Sequence, residues 1–540
     1  MPVTPISLQV FRNLFASVAE EMGVALGRTA YSANIKERQD YSCGLFDPQG
    51  RMVAQAAHIP VHLGSMPASV RAALDRFSSF APGDVVMLND PYMGGTHLPD
   101  ITLVAPVFAS ADAAPTLVGF VANRGHHADV GGMTPGSLPL STDLFQEGLI
   151  IPPLRLARRG RVNREVVELL CRNSRTPEDR RGDLAAQLAA CRTGERRLQE
   201  IVERYGWEET LQHMDALLDY SERLARAVIR SIPDGAYTAQ DYLDDDGLTG
   251  QPLLIQVTLR VSGAEMEVDF TGTAPETPGC VNAPFAVTLS AVLYTLLCVA
   301  GQEVPPNEGV LRPVRVIAPL GCLVNPTPPH AVAGGNVETS QRIVDVLLLA
   351  LAQALPDVIP AASQGTMNNV LVGGYDPARG RAFAYYETIG GGMGARPSKN
   401  GLSGIHTHMT NTMNTPIEAL ELQFPLRIRR YALRQGSGGR GMRRGGDGIV
   451  RDMEFLAPVT VTVLSDRRHS SPYGLQGGKA GAPGENVLYK GGTRELRLPP
   501  KVTFQAAIGD VLSIRTPGGG GWGEEGEPGA EAAKLTEASS

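Results

Sequence analysis

Two short segments of this 540-residue chain combine imidazole and carboxylate at close spacing. One reads Gly94-Gly-Thr-His97-Leu-Pro-Asp100 and the other Asn123-Arg-Gly-His126-His127-Ala-Asp129. Divalent metals of borderline-to-hard character take imidazole nitrogen together with carboxylate oxygen, and a loop at a strand end can present both. The neighbouring glycines let backbone approach a ligand closely. Either spacing also suits a hydrogen-bonded structural histidine, so a metal site and a pair of structural turns both remain open. Pro99 argues for a loop rather than a helix between His97 and Asp100. Asp40, in Arg38-Gln-Asp40-Tyr-Ser-Cys43, is a third carboxylate before an apolar run, where a turn or capping role is the simplest expectation. A further pair, His406-Thr-His408, would face one way if it lay on a strand. With no carboxylate nearby in sequence, it reads rather as the polar rim of a pocket, with Asn411 and Asn414 as neighbours.

Other chemistries are not signalled. None of the glycine runs, including Gly390–Gly394, Ser437–Gly441 and Pro517–Gly523, has the G-x-x-x-x-G-K-[ST] pattern of a phosphate loop. No G-x-S-x-G elbow is present. Six scattered cysteines without a C-x-x-C pair suggest reduced thiols and a cytoplasmic protein. Lys+Arg 49 against Asp+Glu 56 gives a net charge of −7, which disfavours a general nucleic-acid binder. The uncharged stretch from Ala283 to Gly301 is of borderline length for a membrane span, but polar residues dilute it and basic anchors are missing, so it reads as a buried helix.

The elements that must position these residues follow from periodicity. Phe11, Leu14, Phe15, Val18 and Met22 predict an opening helix capped by Ser7. Residues 31–108 read as strand-like, and Ile101–Phe108 and, beyond that range, Leu117–Ala122 are the clearest strands. Residues 153–232 read as charged helices, with Arg158-Arg159 and Arg180-Arg181 on solvated faces. A hairpin is expected over Leu253–Val261 and Ala264–Phe270, and apolar helices over Phe285–Ala300 and Glu338–Leu355, the second capped by Asn336 or Thr339. The divisions are 1–152, carrying the metal motifs; 153–232, helical; 233–364, hairpin plus buried helices; 365–523, glycine-rich and β-containing; and 524–540, a disordered tail. The fold class expected is multidomain α+β.

The blocks Asp40-Tyr-Ser-Cys43, Leu88–Asp100, Arg124–Gly132, Val268–Gly272, Gly335–Ile343, His408–Thr412 and Pro517–Gly523 occur in the order found in one family. Together they make the chain resemble the hydantoinase B/oxoprolinase family. The resemblance implies a subunit of an ATP-dependent hydrolase of hydantoins, N-methylhydantoins, 5-oxoproline or other lactams. It implies one divalent metal, zinc or manganese, held by Asp40, His97, Asp100 and His126, with catalysis running through them. His126 and His127 compete for the fourth position, the other then supporting a ligand with Asp129. A metal-activated water would attack a lactam phosphorylated with ATP on a hydantoinase A type partner, in a hetero-oligomer such as a dimer of heterodimers. No membrane or nucleic-acid partner is implied. Related acetone carboxylases offer a second reading, and a non-catalytic scaffold with a structural metal a third.

Overall fold

The computed structural model describes residues 3–56, 58–109, 115–301 and 304–525. The tail expected over 524–540 therefore lies, from residue 526, outside the described residues. The chain is a multidomain α+β protein, with helices and sheets in blocks rather than regular β-α-β units. The strands of named pairs run antiparallel except for one parallel pair.

The N-terminal sheet contains β1 (Tyr41–Phe46), β2 (Met52–Gln55), β3 (Val85–Leu88), β4 (Asp100–Ala109), β5 (Thr116–His126), β6 (Leu154–Arg158) and β7 (Arg161–Val162), in the order β2-β1-β5-β4-β3-β6-β7. Alternation along each strand feeds two cores. Leu103 and Val121 face a core with Phe15 and Met22, whereas Val104 and Phe120 face one with Met66 and Val70. Burial on both faces explains why these strands read as nearly continuous apolar runs.

Helix α1 (Pro5–Thr29) covers the first face. The Thr4 hydroxyl accepts the Ser7 N–H and Ser7 Oγ accepts the Thr4 N–H, so Thr4 is the cap and Ser7 closes the box from the first turn. The short helix α2 (Ala33–Lys36) leads into β1, and α3 (Ser65–Arg76) covers the second face. The strand-like expectation for 31–108 missed α3. Pro67 looks like a breaker, but it sits in the first turn, where the missing N–H costs no helical bond.

The segment 153–232 opens with the β6–β7 hairpin, which carries Arg158 and Arg159, before α4 (Arg164–Arg172), α5 (Pro177–Tyr205) and α6 (Trp207–Arg230). Helix α5 packs on α1, β4 and β5. Arg180 is not on a solvated face: it is fully buried, 3.3 Å from Asp183. A charge facing a fixed carboxylate survives burial, and sequence spacing does not reveal which of two adjacent arginines does so.

Next come β8 (Gly235–Leu243), β9 (Leu253–Ser262), β10 (Glu265–Asp269) and β11 (Val314–Ile317), with β10 and β11 parallel. Helices α7 (Phe285–Ala300) and α8 (Ser340–Ala354) pack together, α8 also on β8 and β9. Neither Asn336 nor Thr339 caps α8 through its side chain; a π-helical turn, Gly335–Thr339, leads into it. A Cβ on Gly335 would lie 1.8 Å from the Asn282 carbonyl, so only glycine admits this approach. Among the described residues, no helix is long and apolar enough to cross a membrane.

The C-terminal part holds two sheets. One is ordered β13-β12-β16-β19, from β12 (Asn369–Asp376), β13 (Arg381–Glu387), β16 (Val459–Leu464) and β19 (Lys501–Ala506). The other is ordered β14-β15-β20-β17-β18, from β14 (Leu426–Arg434), β15 (Gly448–Phe455), β17 (Glu485–Lys490), β18 (Arg494–Leu498) and β20 (Val511–Arg515). The glycine runs line close backbone crossings: a Cβ on Gly519 would meet the Met393 carbonyl at 2.1 Å.

Candidate metal centre

Strand register gathers the first residues. Asp100 opens β4 directly opposite His126, which ends β5. On the other side of β5, Tyr41 of β1 pairs Gly125, and the His126 N–H donates to the Asp40 carbonyl at 3.0 Å. Asp40, His126 and Asp100 thus lie side by side along one end of three adjacent strands. His97 arrives through a tight turn, in which the Asp100 N–H bonds the His97 carbonyl. Asn89 fixes this turn by donating to the Leu98 carbonyl at 2.7 Å. Gly94 precedes it at φ 89, and a Cβ there would meet Ala68 backbone at 2.5 Å.

The alternation of β5 separates the paired histidines. His126 turns toward Asp100, with its Nδ1 3.5 Å from Asp100 Oδ1. His127 turns toward α5, where Nε2 lies 2.9 Å from Gln187 Oε1. Burial, then Arg180, lowers the His127 imidazole to about 4, leaving it neutral. Asp129 does not orient it. Its carboxylate instead accepts Gly131 and Gly136 N–H groups and pairs Arg175 at 2.9 Å.

His97, Asp100 and His126 offer ligand atoms that all lie within 4.8 Å of one another, each side chain being buried. His97 Nδ1 is 3.0 Å from Asp100 Oδ2. Asp40 stands at the edge of this trio, 3.8 Å from His126 Nδ1 and equally far from the Arg38 guanidinium. Both His97 ring nitrogens, His126 Nε2 and Asp100 Oδ1 are buried without a hydrogen-bond partner in the protein. Buried polar atoms left open in this way cost stability unless a ligand takes them. Their chemistry, imidazole lone pairs around a carboxylate, suits a divalent metal.

Electrostatics favours the ligating forms. Burial would raise the Asp100 carboxyl, but His97, His62 and His126 outweigh it and hold it well below the usual carboxylate range. Burial lowers the His126 imidazole despite Asp40 and Asp100, which favours a free nitrogen lone pair.

Several residues around the trio escape sequence reasoning. His62, from the 3-10 turn Pro60–His62, reaches Asp100 Oδ2 at 3.2 Å and holds Ser42 Oγ at 2.8 Å through its other nitrogen. Thr96 donates to the same Asp100 oxygen at 2.6 Å. The Tyr386 ring stacks on His126 with centroids 4.7 Å apart, and Arg38 lies over Tyr386 at 4.5 Å. A small cavity of about 20 Å3 is lined by Asp40, His62, Asp100, His126, Asn336 and Tyr386, among others. Asn336 belongs to the π turn, a feature common at functional sites, and its Oδ1 is also without a partner. The His58-x-x-x-His62 spacing was the available signal for His62; Asn336 was read only as a helix cap, and nothing local marked Tyr386.

His406 and His408 are not on a strand, since only Ile405 makes an isolated bridge there. His408 adopts φ 56 and its Nε2 lies 3.6 Å from Asp345, a carboxylate too distant in sequence to be anticipated.

The Hydantoinase B/oxoprolinase family model matches residues 4–525. 5-Oxoprolinase 1 of Arabidopsis thaliana is 41% identical over 96% of this chain, which spans only 42% of that relative's length. A Pseudomonas protein named as the B-type component of a D-/L-hydantoinase is 35% identical over 97% of this chain and 91% of its own. The crystal structure of the ATP-dependent caprolactamase from Pseudomonas jessenii superposes with a TM-score of 0.90 at 30% identity, covering 100% of this chain and 94% of that one. With the ordered sequence blocks, the shared fold and a match along almost the whole length, this chain belongs to the hydantoinase B/oxoprolinase family.

Proposed function

We propose that this chain is the metal-holding component of an ATP-dependent hydrolase of cyclic amides. The observation that carries the reading is the buried trio of His97, Asp100 and His126, whose open lone pairs converge beside a cavity. The names of its relatives, an oxoprolinase, a hydantoinase and a caprolactamase, share the opening of a cyclic amide. Zinc or manganese suits the nitrogen and oxygen donors. When bound, such an ion would polarise a carbonyl and lower the pKa of a water toward about 7.

The chain's own residues would divide the remaining tasks. His62 and Thr96 hold one Asp100 oxygen and leave the other open. Tyr386 fixes the plane of His126 by stacking. Asp40 lines the cavity beside His126 and is placed to accept a proton. An amide is a poor electrophile with a poor leaving group, so ATP would serve to activate the carbonyl oxygen by phosphorylation. That step is assigned to a hydantoinase A type partner, in keeping with the chain matching less than half of the Arabidopsis 5-oxoprolinase and most of the Pseudomonas B-type component. A hetero-oligomer, such as a dimer of heterodimers, follows from this assignment. The likeness to caprolactamase at 30% identity along the full chain favours lactam opening over carboxylation.

Elemental analysis of the purified chain tests the reading. Wild type should carry one zinc or manganese per chain, and His97→Ala and His126→Ala should both lose it. With the partner present, His97→Ala should also stop lactam hydrolysis. Metal-free wild type, or normal turnover by His97→Ala, would sink the proposal.

A further inference from the structure

A pocket of about 520 Å3 adjoins the cavity of the histidine–carboxylate trio. Thr410 lines both spaces, and Pro60 lines the pocket while its neighbours Ile59 and Val61 line the cavity. This volume is in the range of sites that enclose a small organic molecule. Its lining combines apolar side chains, Val299, Leu348 and Ile359, with Arg396, His406 and His408. No Asp or Glu lines it.

Arg396 belongs to this lining. Among the described residues no carboxylate lies within ion-pair distance of it, and its buried Nε has no hydrogen-bond partner. Neither ring nitrogen of His406 is in hydrogen-bonding geometry with a protein atom, and burial, then the Arg38 charge, lowers its imidazole to about 4, so it is neutral and offers one N–H. His408 is held against Asp345, whose other oxygen is bound by Arg467 at 2.7 Å. An unpaired guanidinium and the N–H of a neutral imidazole, with no carboxylate in the lining itself, offer hydrogen-bond donors to a small anion.

We propose that this pocket binds a ring-sized molecule through an anionic group, held by Arg396 and His406, with the ring against the apolar lining residues. The identification of the ring as a cyclic amide rests on the function proposed above; the anion site rests on the pocket alone. The anion has two candidate sources: a carboxylate carried by the lactam itself, or the phosphoryl group of an activated lactam.

Calorimetric titration of the full chain separates these sources. The probes are 5-oxoproline, which carries a carboxylate, inorganic phosphate, and caprolactam, which carries no charge. At least one anion should bind saturably, and Arg396→Gln should weaken it about tenfold or more, as expected for loss of a charged hydrogen bond. Arg396→Lys should weaken it less, and caprolactam binding should change little in either variant. Binding of 5-oxoproline alone assigns a carboxylate; binding of phosphate assigns a phosphoryl group. Absence of saturable anion binding by wild type, or equal anion affinity in Arg396→Gln and wild type, would overturn the inference. His97→Ala provides the control, because it should lose metal while retaining anion binding. Metal retained in wild type with anion binding insensitive to Arg396 would break only the pocket inference. Arg396-dependent anion binding by a wild type that carries no metal would break only the reading of the metal centre.

Discussion

Two buried clusters of charge in this molecule are built on opposite rules. In the first, Asp466 sits between α8 and the C-terminal sheets with both oxygens engaged, by Arg342 at 2.8 Å and Lys501 at 3.0 Å. Arg467 beside it grips Asp241 and Asp345, each at 2.7 Å. In the second, Asp100 has one oxygen held by Thr96 and His62, while its other oxygen and the nitrogens of His97 are left open. Buried charges closed by opposite charges fasten elements together. Buried donor atoms left open near one another are what the proposed metal would complete.

The largest expected effect tests that difference directly. Asp466→Ala removes the shortest contact of two buried cations, leaving Arg342 with Asp241 at 3.4 Å and Lys501 with Asp245 at 3.3 Å, and breaking such a buried pair typically costs about 3–5 kcal/mol. His97→Ala removes a buried side chain that makes no hydrogen bond but stands 3.0 Å from Asp100, so it should cost the metal-free protein less, about 1–2 kcal/mol. Urea unfolding of metal-free wild type and both variants measures the two losses. Equal losses would erase the distinction between a fastening cluster and an open one.

How much of this was legible in sequence depends on the distance between partners. The candidate ligands stood out as a cluster because His97 and Asp100 share one turn, and the second motif lies one strand away. The helix Phe285–Ala300 was legible to the residue because an apolar run is bounded by Pro284 and Gly301. His62 was not, because its contact with Asp100 crosses 38 positions. Nor was the Asp345 partner of His408, brought in by α8. His126 and His127 were indistinguishable because both neighbours of a strand residue are equally near in sequence. Only knowing which face α5 covers separates them. The same blindness hid the burial of Arg180.

Glu147 sharpens the comparison with pH. It is fully buried, one oxygen accepting the Val332 and Ala333 N–H groups and the Ser141 hydroxyl, the other open. Burial raises its carboxyl from 4.5 to about 7, against those hydrogen bonds. A raised carboxyl favours the protonated native state, so its stabilisation is complete below pH 4.5 and is lost as pH rises through about 7. That interval corresponds to roughly 3 kcal/mol. Glu147→Gln removes this loss, so the variant should gain on wild type between pH 5 and pH 8 by up to that amount. Parallel pH–stability curves for the two proteins would show that Glu147 is ionised throughout and belongs with the fastening charges.

The smallest expected effect separates the adjacent histidines. His127 is satisfied by Gln187 on the far side of β5, whereas the Nε2 of His126 is open beside Asp100. His127→Gln keeps a polar group opposite Gln187. It should retain the metal content of wild type and lose about 1 kcal/mol of stability or less, one hydrogen bond being at stake. His126→Gln should lose metal, because an amide is a poorer ligand than imidazole for zinc or manganese. The pair differs by one position and by one face of a strand, so elemental analysis and an unfolding curve on each suffice. If His127→Gln loses metal with its fold intact, the face of β5 turned toward α5 also governs the site, and the division between open and closed clusters no longer follows strand alternation.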